Sequence, residues 1–147
     1  MIKPHFLIFL DFDGVIKHKP TKKLKQECVI RVNKIARFLN ANIVISSSWR
    51  LLLNWKKLNP NFENRIIGIT PDLEGPSYNN THIRYQEILE FLDKKEWQDI
   101  SWLALDDEKA FFPNHANVYY TNPEILITEQ DVENIISCQG KIEGKAR

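Results

Sequence analysis

The residues of this chain best suited to chemistry are acidic, and they stand at the ends of apolar runs. Phe6-Leu7-Ile8-Phe9-Leu10 leads into Asp11-Phe12-Asp13-Gly14-Val15, and Trp102-Leu103-Ala104-Leu105 leads into Asp106-Asp107. Between them, Ile43-Val44-Ile45 ends in Ser46. Carboxylates held this close repel, and each raises the other's pKa. A bound cation removes that penalty, so two strand ends of this kind suggest an oxygen-ligand site for a hard metal. The competing reading is a pair of turns, since Asp and Gly end strands in many folds.

These residues need a frame. Residues 6–10 form an apolar run without alternation, as expected of a strand covered on both faces. Further strands are expected at 42–46, 65–69, 100–105 and 117–121. Helices are expected at 22–40, capped by Thr21, and at 49–57, 82–94 and 129–138. Leu24, Cys28, Ile35, Phe38 and Leu39 would supply the buried face of the first helix, and Ile83, Ile88, Leu89 and Leu92 that of the third. Thr128 and Asp131 resemble a capping box with Asp in place of Glu. Pro71, Gly75, Pro76, Asn79 and Asn80 mark a long loop. Strands alternating with helices imply a parallel sheet with right-handed crossovers. Sites in such sheets lie beyond the carboxyl ends of the strands, where both acidic clusters and Ser46 fall. A single domain over 1–139 is expected, followed by a polar, mobile tail over 140–147.

The order of these segments resembles the haloacid dehalogenase-like (HAD) phosphohydrolases. Asp11-Phe12-Asp13-Gly14-Val15 resembles their first motif, Ile43-Val44-Ile45-Ser46 their second, and Asp106-Asp107 their fourth. The third motif is usually a Lys early in a helix; here the matching residue is Arg84. That departure is similar to a compact, capless HAD group related to domains of multi-enzyme RNA-repair proteins. Ser48-Trp49-Arg50, Arg84 with Glu87-Ile88, and Ile127-Thr128-Glu129-Gln130-Asp131 carry the likeness. It implies an α/β, three-layer Rossmann-like fold with strand order 5-4-1-2-3. It also implies a Mg²⁺-dependent phosphatase working through an aspartyl-phosphate.

The resemblance assigns roles residue by residue. Asp11 becomes the nucleophile, and Asp13 the general acid that protonates the leaving oxygen and then activates water. Asp11, Asp107, Asp106 and the main-chain carbonyl of Asp13 become the metal-binding group. Ser46, with Ser47 as the alternative, would bond a phosphate oxygen, and Arg84 would neutralise the phosphoryl group. Gly14 would let the chain turn sharply and bring backbone N–H groups near the phosphate. Trp49 and Arg50 would meet the substrate at the mouth, the first by stacking and the second at a further phosphate. Each has a plainer reading: a helix cap for the serines, an exposed helix position for Arg84, and core packing for Trp49.

Composition sets the outer bounds. A chain of 147 residues, 43% apolar and 27% charged, fits one soluble domain. No run approaches the roughly 20 apolar residues of a membrane span. Met1-Ile2-Lys3-Pro4-His5 does not open a signal peptide, so a cytoplasmic location is expected. Cys28 and Cys138 form neither a disulfide framework nor a zinc motif, and the four histidines show no ligand spacing. The net charge of +1 makes no overall case for nucleic acid. Lys17, Lys19, Lys22, Lys23 and Lys25 follow the first acidic cluster, either as a solvated face or as a positive rim steering an anionic substrate. The partner expected is a phosphorylated small molecule or a nucleic-acid end, met at an open site. Two rivals remain: a HAD-fold module that binds phosphate or a partner without turnover, which Arg84 favours, and a flavodoxin-like or receiver domain, which the Asp-x-Asp-Gly turn suits poorly.

Overall fold

Five parallel strands form one sheet in the computed structural model, which describes residues 2–73 and 81–146, with side chains as far as Gln139. The strands are β1 (Phe6–Leu10), β2 (Ala41–Ile45), β3 (Ile66–Ile69), β4 (Ser101–Asp106) and β5 (Val118–Tyr120), in spatial order β3-β2-β1-β4-β5. This is the expected order read from the other edge. The helices are α1 (Gln26–Leu39), α2 (Trp55–Leu58), α3 (Ile83–Lys95) and α4 (Glu129–Ala146). The loop residues expected at Gly75, Pro76, Asn79 and Asn80 lie outside the described residues.

Strand β1 shows why its sequence is apolar throughout. Phe6, Ile8 and Leu10 join the layer built with α1 and α4, while Leu7 and Phe9 join the layer built with α3. Every residue of β1 is buried, so neither face can carry polar side chains. Strand order reverses between β1 and β4, which opens a crevice at their carboxyl ends.

Pairing is level across the sheet: Leu10 lies opposite both Ile45 and Leu105. The residue after β1, β2 and β5 continues the ladder with one more amide. Asp11 N–H donates to Leu105 O, Ser46 N–H to Leu10 O, and Thr121 N–H to Asp106 O, at 2.9–3.0 Å. These bonds fix the backbone under each candidate residue.

Several local expectations are corrected. Thr21 does not cap α1; its hydroxyl donates to His18 O at 3.0 Å, and α1 starts at Gln26 behind Lys25. Phe38 and Leu89 are exposed rather than core. The helix expected over 49–57 is two pieces, a 3₁₀ turn at Ser48–Leu51 and the short α2, broken at Leu52, which is exposed. Helix α4 runs on to Ala146, past the end expected at 138. Its capping box forms as expected: Asp131 N–H donates to Thr128 Oγ1 (3.1 Å) and Thr128 N–H to Asp131 Oδ2 (2.8 Å). Cys28 and Cys138 are free thiols. No helix among the described residues is long and apolar enough to cross a membrane.

Candidate active site

The carboxyl ends of β1 and β4 bring Asp11, Asp106 and Asp107 together. Ligand oxygens from all three lie within 4.8 Å of one another. Asp11 and Asp106 are buried, and Asp107 is half-buried. Asp11 Oδ1 accepts its neighbour Phe12 N–H at 2.9 Å. Asp106 Oδ1 accepts two backbone amides, from Asp107 at 2.8 Å and Glu108 at 3.0 Å. These bonds fix both carboxylates on the rim.

One arginine answers this charge. Arg84, in the first turn of α3, directs Nη1 to Asp106 Oδ2 at 2.9 Å and to Asp11 Oδ1 at 3.1 Å. Its Nη2 lies 3.4 Å from Ser48 Oγ. The Phe111 ring lies 4.8 Å from the guanidinium. Arg84 is buried, so the reading as an exposed helix residue is overturned. Burial pushes the Asp11 carboxyl well above the usual carboxylate range; the charge of Asp106 adds to this and Arg84 opposes it. Burial likewise raises Asp106, again against Arg84. Burial works against the Arg84 charge, yet Asp11 and Asp106 outweigh it and hold the guanidinium above its ordinary value. Among the described residues, Arg84 is the one cation ion-paired within this cluster of three carboxylates. A donor set of hard oxygens with surplus negative charge fits a divalent cation such as Mg²⁺.

Gly14 explains how the first loop approaches the second. Its φ is +81°, and a Cβ there would run into the Asp107 carboxylate. Thr121 Oγ1 donates to Gly14 O at 2.7 Å, which ties the loop to the end of β5. Only glycine meets both requirements.

Asp13 stands beside this cluster. The indole Nε1 of Trp49 donates to both of its oxygens, at 3.1 and 3.0 Å, and Lys17 Nζ is ion-paired to Oδ1. Lys17 is 1% exposed, so it belongs neither to a solvated face nor to a steering rim. Its backbone returns to Asp13 through a bridge and the Gly14 N–H to Lys17 O bond of 2.9 Å. Lys19, Lys22, Lys23 and Lys25 are exposed.

Asp11, Asp13, Lys19, Ser48, Arg84, Asp107, Glu108 and Phe111 line a cavity of about 180 Å³. Ser46 is not among them. It is buried at the end of β2, its hydroxyl without a hydrogen-bond partner among the described residues. Ser47 caps the 3₁₀ turn, its Oγ accepting Trp49 N–H at 3.2 Å. Ser48 is the serine at the cavity. Arg50 turns inward: Nε donates to Thr70 O (2.9 Å), Nη1 to Ser47 O (2.9 Å), and Nη2 to Pro71 O (3.1 Å) and Glu87 Oε2 (2.7 Å). These bonds occupy the fork that was expected to meet substrate. Trp49 packs partly against the core and spends its polar edge on Asp13 rather than standing free to stack.

Sequence reasoning placed Lys17 and Lys19 in a solvated face or steering rim and Ser48 only in the family likeness, and it missed Glu108 and Phe111. The signal for Lys17 was available: Val15 and Ile16 are apolar, and a turn that buries them carries Lys17 inward too.

A family model described as the HAD domain in Swiss Army Knife RNA repair proteins matches residues 7–132. No curated protein and no solved structure matches the chain.

Proposed function

The chain belongs to the family of HAD domains in Swiss Army Knife RNA repair proteins, and on that premise we propose that it is a Mg²⁺-dependent phosphatase acting on phosphate monoesters. The observation that carries this reading is the convergence of Asp11, Asp106, Asp107 and Arg84 at level strand ends, with Asp13 on the same cavity. Asp11, Asp107 and Asp106 would hold Mg²⁺, with the Asp13 carbonyl. Bound there, the ion supplies charge neutralisation between the nucleophile and the incoming phosphate.

The protein's own groups divide the reaction into two steps. In the first, an Asp11 carboxylate oxygen attacks phosphorus. The bond to the leaving oxygen breaks, its electron pair stays on that oxygen, and Asp13 donates the proton. In the second, Asp13 as carboxylate takes a proton from water, and the water oxygen bonds to phosphorus. The aspartyl–phosphorus bond breaks, and inorganic phosphate leaves. Arg84 bridges the nucleophile and the site of the transferring group, where its fixed charge needs no reorganisation.

A cavity of about 180 Å³ takes a phosphate end rather than a whole nucleotide. Among the described residues no inserted domain covers it. Exposed Lys19, Lys22, Lys23 and Lys25 flank the same loop and suit a polyanion. The favoured substrate is therefore a terminal phosphate on a nucleotide or nucleic acid. The rival reading, a phosphate- or partner-binding module without turnover, draws on one observation: Arg84 is already paired with the nucleophile itself.

Phosphate release from a small aryl phosphate, with and without chelator, tests the proposal. Turnover that stops on chelation and returns with Mg²⁺ is expected. Turnover unchanged by exhaustive chelation would sink the metal-dependent mechanism, and no turnover with any ester would favour the binding module.

A further inference from the structure

Lys17 stands apart from the lysines around it. Lys19, Lys22, Lys23 and Lys25 reach solvent, as long cationic side chains can. Lys17 is 1% exposed. A buried ammonium is costly unless its protons find acceptors and its charge a partner. Lys17 finds both. Its Nζ pairs with Asp13 Oδ1, lies 3.2 Å from His18 O and 3.5 Å from Lys19 O, and sits 4.8 Å from the centre of the Trp49 ring.

Trp49 closes the other side of the same carboxyl. Its Nε1–H is shared between Oδ1 at 3.1 Å and Oδ2 at 3.0 Å. The two donors arrive from different segments, the loop after β1 and the 3₁₀ turn after β2. They also contact one another through the ring face. The two oxygens of Asp13 are thereby made unequal. Among the described residues Oδ1 receives both donors, whereas Oδ2 receives the shared indole N–H alone and keeps the greater hydrogen-bonding capacity.

We propose that Lys17 and Trp49 form a clamp that positions Asp13, anchoring Oδ1 so that Oδ2 carries the proton to the leaving oxygen. This inference rests on the phosphatase reading. In the step concerned, the phosphorus–oxygen bond breaks toward the leaving oxygen and the Oδ2 proton passes to it, leaving Asp13 a carboxylate. Lys17 neither gains nor loses a proton. Its contribution is to orientation, where small displacements of a reacting group are expensive.

The test compares two phosphate monoesters, one with a nitroaryl leaving group and one with a simple alkyl group. First-turnover release of each alcohol is measured at saturating ester and Mg²⁺ for the wild type, Lys17→Met, Trp49→Phe, Asp13→Asn and the Lys17→Met/Asp13→Asn double variant. Circular dichroism and thermal melting establish folding. Only the alkyl leaving group depends heavily on proton donation. Lys17→Met is therefore expected to slow alkyl release about 10–100-fold and aryl release by less than about threefold. Trp49→Phe is expected to show a smaller loss of the same sense, and it carries the test alone if Lys17→Met fails to fold. With Asp13→Asn already present, Lys17→Met is expected to leave the ratio of the two rates unchanged. Equal losses on both esters in a folded variant would overturn the clamp and leave the phosphatase reading intact. A further fall in the ratio when Lys17→Met joins Asp13→Asn would overturn it in the same way. A wild type that releases neither alcohol would overturn both.

Discussion

Two arginines are buried to the same degree, each 5% exposed, and they are solved in opposite ways. Arg50 meets three carbonyls and one carboxylate, and Glu87 also accepts Leu73 N–H at 3.1 Å. Charge balances charge, and every guanidinium nitrogen has an acceptor. Arg84 faces Asp11 and Asp106 through a single nitrogen, with Asp107 close by, and its Nε has no partner among the described residues. Negative charge exceeds positive there. The balanced group holds the 3₁₀ turn, the segment at Thr70–Leu73 and α3 together. The unbalanced one has electrostatic work left for a ligand. A buried ion pair by itself says little about function; its surplus says more.

The largest expected effect sharpens this contrast. Asp11→Asn should lower turnover by about 10⁴-fold or more, because the nucleophile is gone. The same change should raise the melting temperature of metal-free protein at neutral pH, because a buried carboxylate no longer has to ionise. A variant that is both inactive and less stable would break the comparison. Next come the arginines themselves. Arg84→Ala should cost about 10²–10³ in kcat, with Arg84→Lys retaining substantial activity. Arg50→Met should instead lose about 3–5 kcal/mol of stability by stranding Glu87, measurable by denaturant unfolding, and Mg²⁺ should not restore it.

A third, smaller effect follows from proton binding. Asp11, Asp106 and Glu87 all have pKa values raised by burial, so the folded state binds more protons than the unfolded chain between the ordinary and the raised values. Their contribution is present below the ordinary carboxylate range and is lost as pH rises through the folded values. Metal-free protein should therefore melt higher at mildly acidic pH than at neutral pH. Mg²⁺ at about 100 times its Kd should add about 2.7 kcal/mol at neutral pH and flatten the slope. A metal-free melting temperature that climbs steadily from acid to neutral pH would refute the surplus-charge account. Within the cluster, Asp107→Ala should weaken Mg²⁺ binding more than Asp106→Ala by calorimetry. Asp106→Ala should show its main loss in stability, because Asp106 also holds two backbone amides. The smallest effect belongs to the exposed lysines. Lys19, Lys22 and Lys23 changed to Gln should flatten the salt dependence of oligonucleotide binding by about one unit of slope per lost phosphate contact. An unchanged slope would make them plain surface.

The sheet and the acidic rim were legible because their signals are periodic and local. An unbroken apolar run followed by Asp reads as a buried strand ending at a site, and β1 and β4 follow that rule, while β2 ends instead at Ser46. What stayed hidden depends on pairing across distance. Arg50 follows Trp49 at the apparent mouth, yet Glu87 and three carbonyls from elsewhere turn it inward. Lys17 sits in a charge run that reads as solvated, and only a non-helical turn back to Asp13 buries it. Ser46, Ser47 and Ser48 are indistinguishable by type. A difference of one residue at the end of β2 decides which of them reaches the cavity.

The level strand ends carry a consequence for how such a molecule can change. Leu10, Ile45 and Leu105 lie in one row, and the residue after β1 and the residue after β2 are each pinned by an amide to a neighbouring carbonyl of that row. Substitution along that row exchanges functional groups without disturbing the frame beneath. Insertion or deletion of a single residue within β1 is another matter. It would send Leu7 and Phe9 to the α1 side, Ile8 to the α3 side, and lift or sink Asp11 by a full strand step of about 3.3 Å. A lineage built on this sheet can therefore diversify its chemistry by point mutation, while the lengths of its central strands stay frozen.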